Sequence, residues 1–319
     1  LNSKNYILGA GLSGLICANY FKEYKVLERS DSVKINHRAL LRFKSNELSK
    51  FINIRSFKAV NVRKSIYHKG KFYDKPDLTA SILYSQKVSN TISDRSIWME
   101  DGNHVIRYLP NYNLINELSL NTNVKCSKKI IKIDNGRITF SNGTIEAYDT
   151  IISTIPLNEM VKIVGIDDKD NKFKSKSIFT TVIKIKDCDF HHTVYIIDED
   201  TSIYRISFVG NTVIFESMDR ITKPIVYDFL TAFGLKQNMN DCVFDCFNFI
   251  HQYGKLFSID RDVVKSILLY LTEEFNIYSL GRYAVWRNIM SEDLIKDILK
   301  IKEMIYCDKH KYDIKLGGS

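Results

Sequence analysis

The run Gly9-Ala10-Gly11-Leu12-Ser13-Gly14 constrains this chain more than any other segment. Before it, Asn5-Tyr6-Ile7-Leu8 is a short apolar run that predicts a buried strand. After it, Leu15-Ile16-Cys17-Ala18-Asn19-Tyr20-Phe21 carries the apolar periodicity of a helix. A second apolar run, Lys25-Val26-Leu27, ends in Glu28. Strand, glycine turn, helix, strand and acid in this order predict a βαβ unit. Gly9 permits the tight turn out of the strand. Gly11 lacks a Cβ, so a pyrophosphate can approach the backbone there, and Gly14 lets the helix pack close to the sheet. The helix start at Leu12 and Ser13 offers free N–H groups and partial positive charge to phosphates. Glu28 stands at the tip of the second strand, where a carboxylate can accept both ribose hydroxyls of an adenosine; an acid there argues against a 2′-phosphate.

The remainder of the chain bears on which dinucleotide is expected. Regular β-α-β units do not continue after Glu28. The chain departs through Arg29-Ser30-Asp31-Ser32 into a basic stretch, His37-Arg38-Ala39-Leu40-Leu41-Arg42-Phe43. Strand-like runs with turn signals at Asp134-Asn135-Gly136 and Ser141-Asn142-Gly143 follow, then an apolar run, Tyr148 to Pro156, that ends in T-x-P. Near the end, Asn276–Leu280 reads as a strand, Gly281-Arg282-Tyr283-Ala284-Val285-Trp286 follows, and a helix is expected from about Ser291 to Met304.

On these residues the chain resembles the FAD-binding superfamily of amine oxidases, protoporphyrinogen oxidase and UDP-galactopyranose mutase. The resemblance covers roughly residues 1–45, 120–160 and 270–305. It departs from the pattern at Cys17 and Phe21, where family members often carry small residues. It implies an α/β fold: a discontinuous, Rossmann-like FAD-binding domain (1–45, 120–160, 270–319) with an inserted substrate or cap domain (46–119, 161–269) of antiparallel sheet plus helices. It implies FAD as cofactor. The cofactor residues it implies are Gly9, Gly11, Leu12, Ser13, Gly14, Glu28, Arg29, Arg38, Ile130, Thr154, Gly281, Arg282 and Tyr283. Ile130 is the residue expected beside the adenine, with core packing as the equal alternative.

Four β-rich runs (177–186, 192–197, 202–209, 211–217) predict the antiparallel substrate platform. Helices are expected over 225–235 and 260–274, with His251-Gln252-Tyr253-Gly254-Lys255 a loop between them. Tyr67-His68-Lys69-Gly70-Lys71-Phe72 predicts a small hairpin, and a short helix is expected around Asn113–Leu118. The candidate catalytic residues are His37, Tyr84, Arg107, Arg205, Lys255 and Trp286. Trp286, Tyr283, Tyr84 and Trp98 could form an aromatic wall, and Arg107, Arg205 and Arg282 could hold a diphosphate. Each also has an ordinary structural reading: a solvated loop histidine, a packed aromatic or a sheet-surface arginine. The pair His191-His192 is expected at the surface.

No second glycine fingerprint for NAD(P)H and no C-x-x-C pair is present, which disfavours a two-nucleotide or thiol reductase. Three functions remain open. The first is an amine-oxidase-like FAD-dependent oxidoreductase, with hydride passing from substrate to flavin N5. The second is a mutase-like flavoenzyme acting on a nucleotide sugar. The third is an FAD-containing nucleic-acid-binding module without catalysis. The stretch 37–43 with Tyr84-Ser85-x-Lys87-Val88 is similar to flavoproteins encoded by tailed bacteriophages, which implies a modified nucleotide or DNA base as substrate.

Composition narrows the setting. With 46 Lys plus Arg against 37 Asp plus Glu, the net charge is +9, which favours anionic partners such as a small-molecule phosphorylated sugar, a nucleotide or nucleic acid, or reflects codon bias. No apolar run approaches a membrane span, so a cytoplasmic protein without a membrane partner is expected. The six cysteines fit buried free thiols rather than a metal site; Cys242 and Cys246 lie one helical turn apart with no second pair nearby. No metal is expected, and the oligomeric state is left open.

Overall fold

The structure, a computed structural model, describes residues 4–34, 40–89, 102–166, 173–186, 188–235, 242–257, 259–290 and 292–316, with side chains as far as 307. His37, Arg38, Trp98 and Ser291 lie outside the described residues.

Strand β1 (Asn5–Leu8) turns through the glycine run into α1 (Leu12–Tyr20), and β2 (Lys25–Leu27) follows. Next come α2 (Glu47–Phe51), the hairpin of β3 (Lys58–His68) and β4 (Lys71–Tyr73), α3 (Leu78–Ser89), β5 (His104–Leu109) and α4 (Leu114–Leu120). Then come β6 (Val124–Lys125), β7 (Ile130–Asp134), β8 (Arg137–Phe140), β9 (Ile145–Ala147), β10 (Thr150–Ser153) and α5 (Leu157–Ile163). After these stand β11 (Ser175–Ile185), β12 (Phe190–Ile196), β13 (Ile203–Gly210), β14 (Thr212–Ser217) and α6 (Lys223–Ala232). Last come β15 (Cys242–Leu256), α7 (Arg261–Phe275), β16 (Ile277–Ser279) and α8 (Asp293–Leu316).

A five-stranded sheet runs β16-β10-β1-β2-β6, every pair parallel. Its strands are covered on both faces, and all four residues of β1 and all four of β10 are buried. Ile7, Val26 and Ile152 face a cluster built with α1, α2, α4 and α8 (Leu15, Leu48, Leu118, Ile298). Tyr6, Leu8, Leu27 and Ile151 face the opposite cluster, built with the β7-β8-β9 sheet, α5 and α7 (Ile138, Leu157, Val264, Leu271). Alternate residues of one strand therefore serve two cores, as the period of two requires.

The second sheet has eight strands, β15-β11-β14-β13-β12-β3-β4 with β5 paired to β3. The four runs expected as antiparallel do pair that way, but β12 pairs in parallel with β3, so the sheet is mixed. One face packs Ile183, Val194, Ile206, Phe208 and Phe215 beneath α6. The segment 251–255 is not a loop. It lies inside β15, paired with β11 through several register shifts that absorb Asn248 at φ 51°. The hairpin at 67–72 forms as expected, with Lys69 and Gly70 both at positive φ in its two-residue turn. His192 is not a surface residue: it is part-buried and shares a 2.7 Å hydrogen bond with Ser65 Oγ. Cys17 and Cys188 are buried free thiols, but Cys307 is exposed, and Cys242 and Cys246 stand on a strand rather than a helix.

Candidate functional site

A cleft of about 860 Å³ opens at the C-terminal ends of β1, β2 and β10, within the ~300–1,000 Å³ usual for ligand and cofactor sites. Its floor is the glycine run. Gly9 leaves β1 at φ 95°, and its N–H donates to the Leu27 carbonyl. Gly11 caps α1, and a β-carbon there would meet nothing within 4 Å, so the space above it belongs to the cleft. Gly14 does not line the cleft. A β-carbon on it would fall 1.9 Å from the Gly9 carbonyl oxygen, so its work is to seat α1 on the turn. The first N–H groups of α1 have no partner within the helix and point toward this space with the positive end of its dipole.

Glu28 lies on one wall. Its carboxylate accepts hydrogen bonds from the Ala10 N–H (2.8 Å) and the Ser30 N–H (2.9 Å). A carboxylate has about four lone-pair positions, so capacity for two hydroxyl donors remains. Ile130 on β7 and Thr154 after β10 also line the cleft, and the Thr154 hydroxyl donates to the Leu8 carbonyl at 2.7 Å. Arg29 sits at the rim in a 3.0 Å ion pair with Glu159. Lys34, Lys128, Lys129 and Lys162 make the surroundings cationic.

The turn after β16 closes the other wall. Gly281, at φ 90°, presses against Ser13, and Arg282 and Tyr283 line the cleft. The Arg282 guanidinium donates to the Gly254 carbonyl at 3.1 Å, tying this turn to β15. Two segments at opposite ends of the sequence therefore meet in one cleft.

Several expected residues lie elsewhere. Trp286 is 3% exposed and sits in the core cluster behind the sheet against Phe173 and Tyr253, so it is no cleft wall. Tyr84, on α3, packs edge-on against Tyr195 and Tyr204 and does not line the cleft. Arg107, on β5, turns its guanidinium to the Ile106 carbonyl. Of the expected aromatic wall, Tyr283 alone lines the cleft among the described residues.

The sheet register reveals a feature that the sequence reading did not assemble. Phe249 pairs with Thr180, Thr180 with Glu216, Glu216 with Arg205 and Arg205 with Tyr195. These residues form one row on the face away from α6. His251, which lines the cleft, shares a 3.0 Å hydrogen bond with Thr180 Oγ1 and so joins the row to the cleft. Arg205 grips Glu216 with two nitrogens, Nη2 at 2.7 Å and Nε to the other oxygen. Burial would raise the Glu216 carboxyl, but Arg205, with Lys255 and Arg42, overrides it and holds it below the usual carboxylate value. Arg42 reaches the same face, donating to Thr193 Oγ1 at 2.5 Å; burial and then Arg205 bring its pKa down to about 10. Lys255 lies over the Tyr204 ring at 4.4 Å. Three cations around one carboxylate leave this face positive. The signal was present as Arg42, Arg205 and Lys255, but the sequence does not give the register that gathers them.

Fold and site together define an α/β protein whose glycine-floored cleft borders a cationic sheet face. No protein-family model and no curated protein sequence matches the chain. Among solved structures, it is similar to reduced UDP-galactopyranose mutase, with TM-score 0.70 and 13% identity over 96% of this chain and 94% of that one. It is also similar to a CLA-producing fatty acid isomerase from P. acnes (TM-score 0.62, 11% identity, 95% and 98% covered). A third likeness is to an oxidoreductase from Methanosarcina mazei (TM-score 0.58, 10% identity, 94% and 100% covered). The chain shares the fold of these proteins. Among the described residues no helix is long and apolar enough to cross a membrane, and no cluster suits a metal ion.

Proposed function

We propose that the chain is an FAD-dependent oxidoreductase. The observation that carries this reading is the meeting of the glycine run and the Gly281-Arg282-Tyr283 turn around one cleft. The open space over Gly11 and the spare capacity of Glu28 fit the pyrophosphate and the adenosine ribose of a dinucleotide. Gly9, Gly11, Leu12 and Ser13 would hold the pyrophosphate, Glu28 the ribose and Ile130 the adenine. Arg282 and Tyr283 would border the ring system. Bound FAD supplies a hydride acceptor at flavin N5. Residues 1–45, 120–160 and 270–319 make the cofactor lobe of this reading, with α2, α4 and α7 lending side chains to its cores. Residues 46–119 and 161–269 make the substrate lobe, whose cationic face orients an anionic substrate through Arg205 together with Arg42, which reaches it from the cofactor lobe.

The same cationic face favours a second reading, a mutase-like flavoenzyme on a nucleotide sugar, because guanidinium groups bind diphosphates well. The likeness to UDP-galactopyranose mutase supports it. A visible spectrum of the purified protein tests the shared premise: flavin bands that survive desalting are expected, and a colourless protein that takes up no added FAD overturns it. Anaerobic mixing with candidate substrates then separates the two. Bleaching of oxidised flavin supports the oxidoreductase, whereas turnover of a nucleotide sugar only after dithionite reduction supports the mutase.

A further inference from the structure

The carboxylates that line the cleft already have hydrogen-bond partners that favour their ionised form. Glu28 accepts from two backbone N–H groups, and Glu159 is held by Arg29 and the Tyr253 hydroxyl. His251 is, among the described lining residues, the side chain of the type that titrates between pH 5 and 8.

Its setting suits a change of charge. Thr180 is fully buried, and its hydroxyl rotor lies 3.0 Å from His251 Nε2. A hydroxyl can donate to a neutral ring nitrogen or accept from a protonated one, so this bond survives in either state. Phe249 packs against the ring, centroid to centroid at 5.0 Å, and limits its rotation. The titratable and charged groups facing it are Glu216 beyond Thr180, Lys255 and Tyr253 on its own strand, Lys176 on β11, Glu159 bound to the Tyr253 hydroxyl, and Arg282 and Tyr283 on the turn after β16.

We propose that His251 is the proton-holding residue of the cleft, taking up one proton from solvent when the flavin of the proposed function is reduced. The inference rests on that function. A two-electron reductant such as dithionite would leave bound FAD more negative, and that charge would lie beside the residues that line the cleft. A nearby negative charge favours the imidazolium, and the proton comes from water through the open side of the cleft. No bond of the protein breaks, and the Thr180 hydroxyl turns from donor to acceptor.

The test uses FAD-loaded protein and two readouts that do not depend on turnover. Spectroelectrochemical midpoint potentials between pH 6 and 8 should show a steeper pH dependence in the wild type than in His251→Asn, by about one proton per two electrons. The His251 ring C2–H resonance, assigned by its loss in the variant, should titrate at higher pH in the reduced than in the oxidised protein. Thr180→Val should shift that midpoint and Thr180→Ser should restore it, which keeps the proposal open to refutation even where His251→Asn fails to bind FAD. Equal slopes, or a C2–H midpoint unmoved by reduction, overturn the role of His251 and leave the flavoenzyme reading intact. Failure of the wild type to bind FAD overturns both.

Discussion

Gly281 lies against Ser13: a β-carbon on Gly281 would come 2.5 Å from the Ser13 hydroxyl oxygen and 2.8 Å from its Cβ. The two residues belong to opposite ends of the sequence, and their approach brings the arginine turn to the first turn of α1. Gly281 also holds φ at 90°, a conformation that disfavours a side chain. Gly281→Ala should therefore cost about 1–3 kcal/mol in a denaturant melt. Adding Ser13→Gly should recover the steric part and leave the backbone part. Recovery of nothing by the double variant would show that the contact does not set the turn.

Gly11 and Gly14 should separate folding from binding. Gly14→Ala places a carbon 1.9 Å from the Gly9 carbonyl oxygen, and no side-chain rotation relieves a clash with backbone. A loss of at least about 3 kcal/mol is expected. Gly11→Ala meets nothing within 4 Å and should cost only the about 0.5–1 kcal/mol of a poorer helix cap. Its methyl group enters the cleft instead, so FAD affinity should fall at least about tenfold, or 1.4 kcal/mol. A Gly11→Ala protein that melts far lower than wild type would reassign Gly11 to the core.

These glycines were legible because their spacing encodes backbone geometry, which is local. The same holds for Glu28 at the end of β2 and for the turn Lys69-Gly70. What was not legible is orientation. Trp286 follows the Gly281-Arg282 turn and has φ 43°, so no helical or strand period says which way it faces, and it faces the core. Tyr84 lies on α3, a helix that its polar-aromatic sequence does not announce, and packs under the second sheet. The 251–255 segment contains Gly254 and polar residues that read as a loop. Pairing with β11 makes it strand, and a β-carbon on Gly254 would strike Ile178 at 2.3 Å. The row from His251 to Tyr195 depends on register across five strands, which is long-range information.

Arg205 and Glu216 give an asymmetric prediction. Glu216 is 4% exposed and Arg205 is 30% exposed, so the acid depends on the base more than the reverse. Arg205→Met strands a buried carboxylate and should cost about 3 kcal/mol, the low end for a broken buried pair because the arginine is partly solvated. Glu216→Gln leaves a cation that can turn toward water and should cost less. The folded-state Glu216 carboxyl lies below its ordinary value, so its contribution is present above pH 4.5 and is lost as pH falls through the folded value. Arg205→Met should shrink that acid limb of the stability curve, because without the guanidinium burial raises the folded-state carboxyl toward its unfolded value. Equal losses in the two variants would contradict the burial difference.

His192 predicts a second, separate acid limb. Burial, with Arg63 next and His104 adding a smaller repulsion, pulls its pKa from 6.5 down to about 4, against the opposing pull of Asp74. The neutral ring shares its hydrogen bond with Ser65, and folding therefore disfavours the imidazolium. Because the folded pKa lies below the unfolded one, this contribution is complete above pH 6.5 and is lost as pH falls from 6.5 to 4. That difference corresponds to at most about 3 kcal/mol. Denaturant melts at pH 7, 6, 5 and 4 should show the wild type losing stability across this range and His192→Gln losing less. The Arg205–Glu216 limb lies lower, below pH 4.5, and should persist in His192→Gln. Parallel curves for wild type and His192→Gln between pH 6.5 and 4 would show that the ring is hydrated in the folded protein and that burial does not govern its proton.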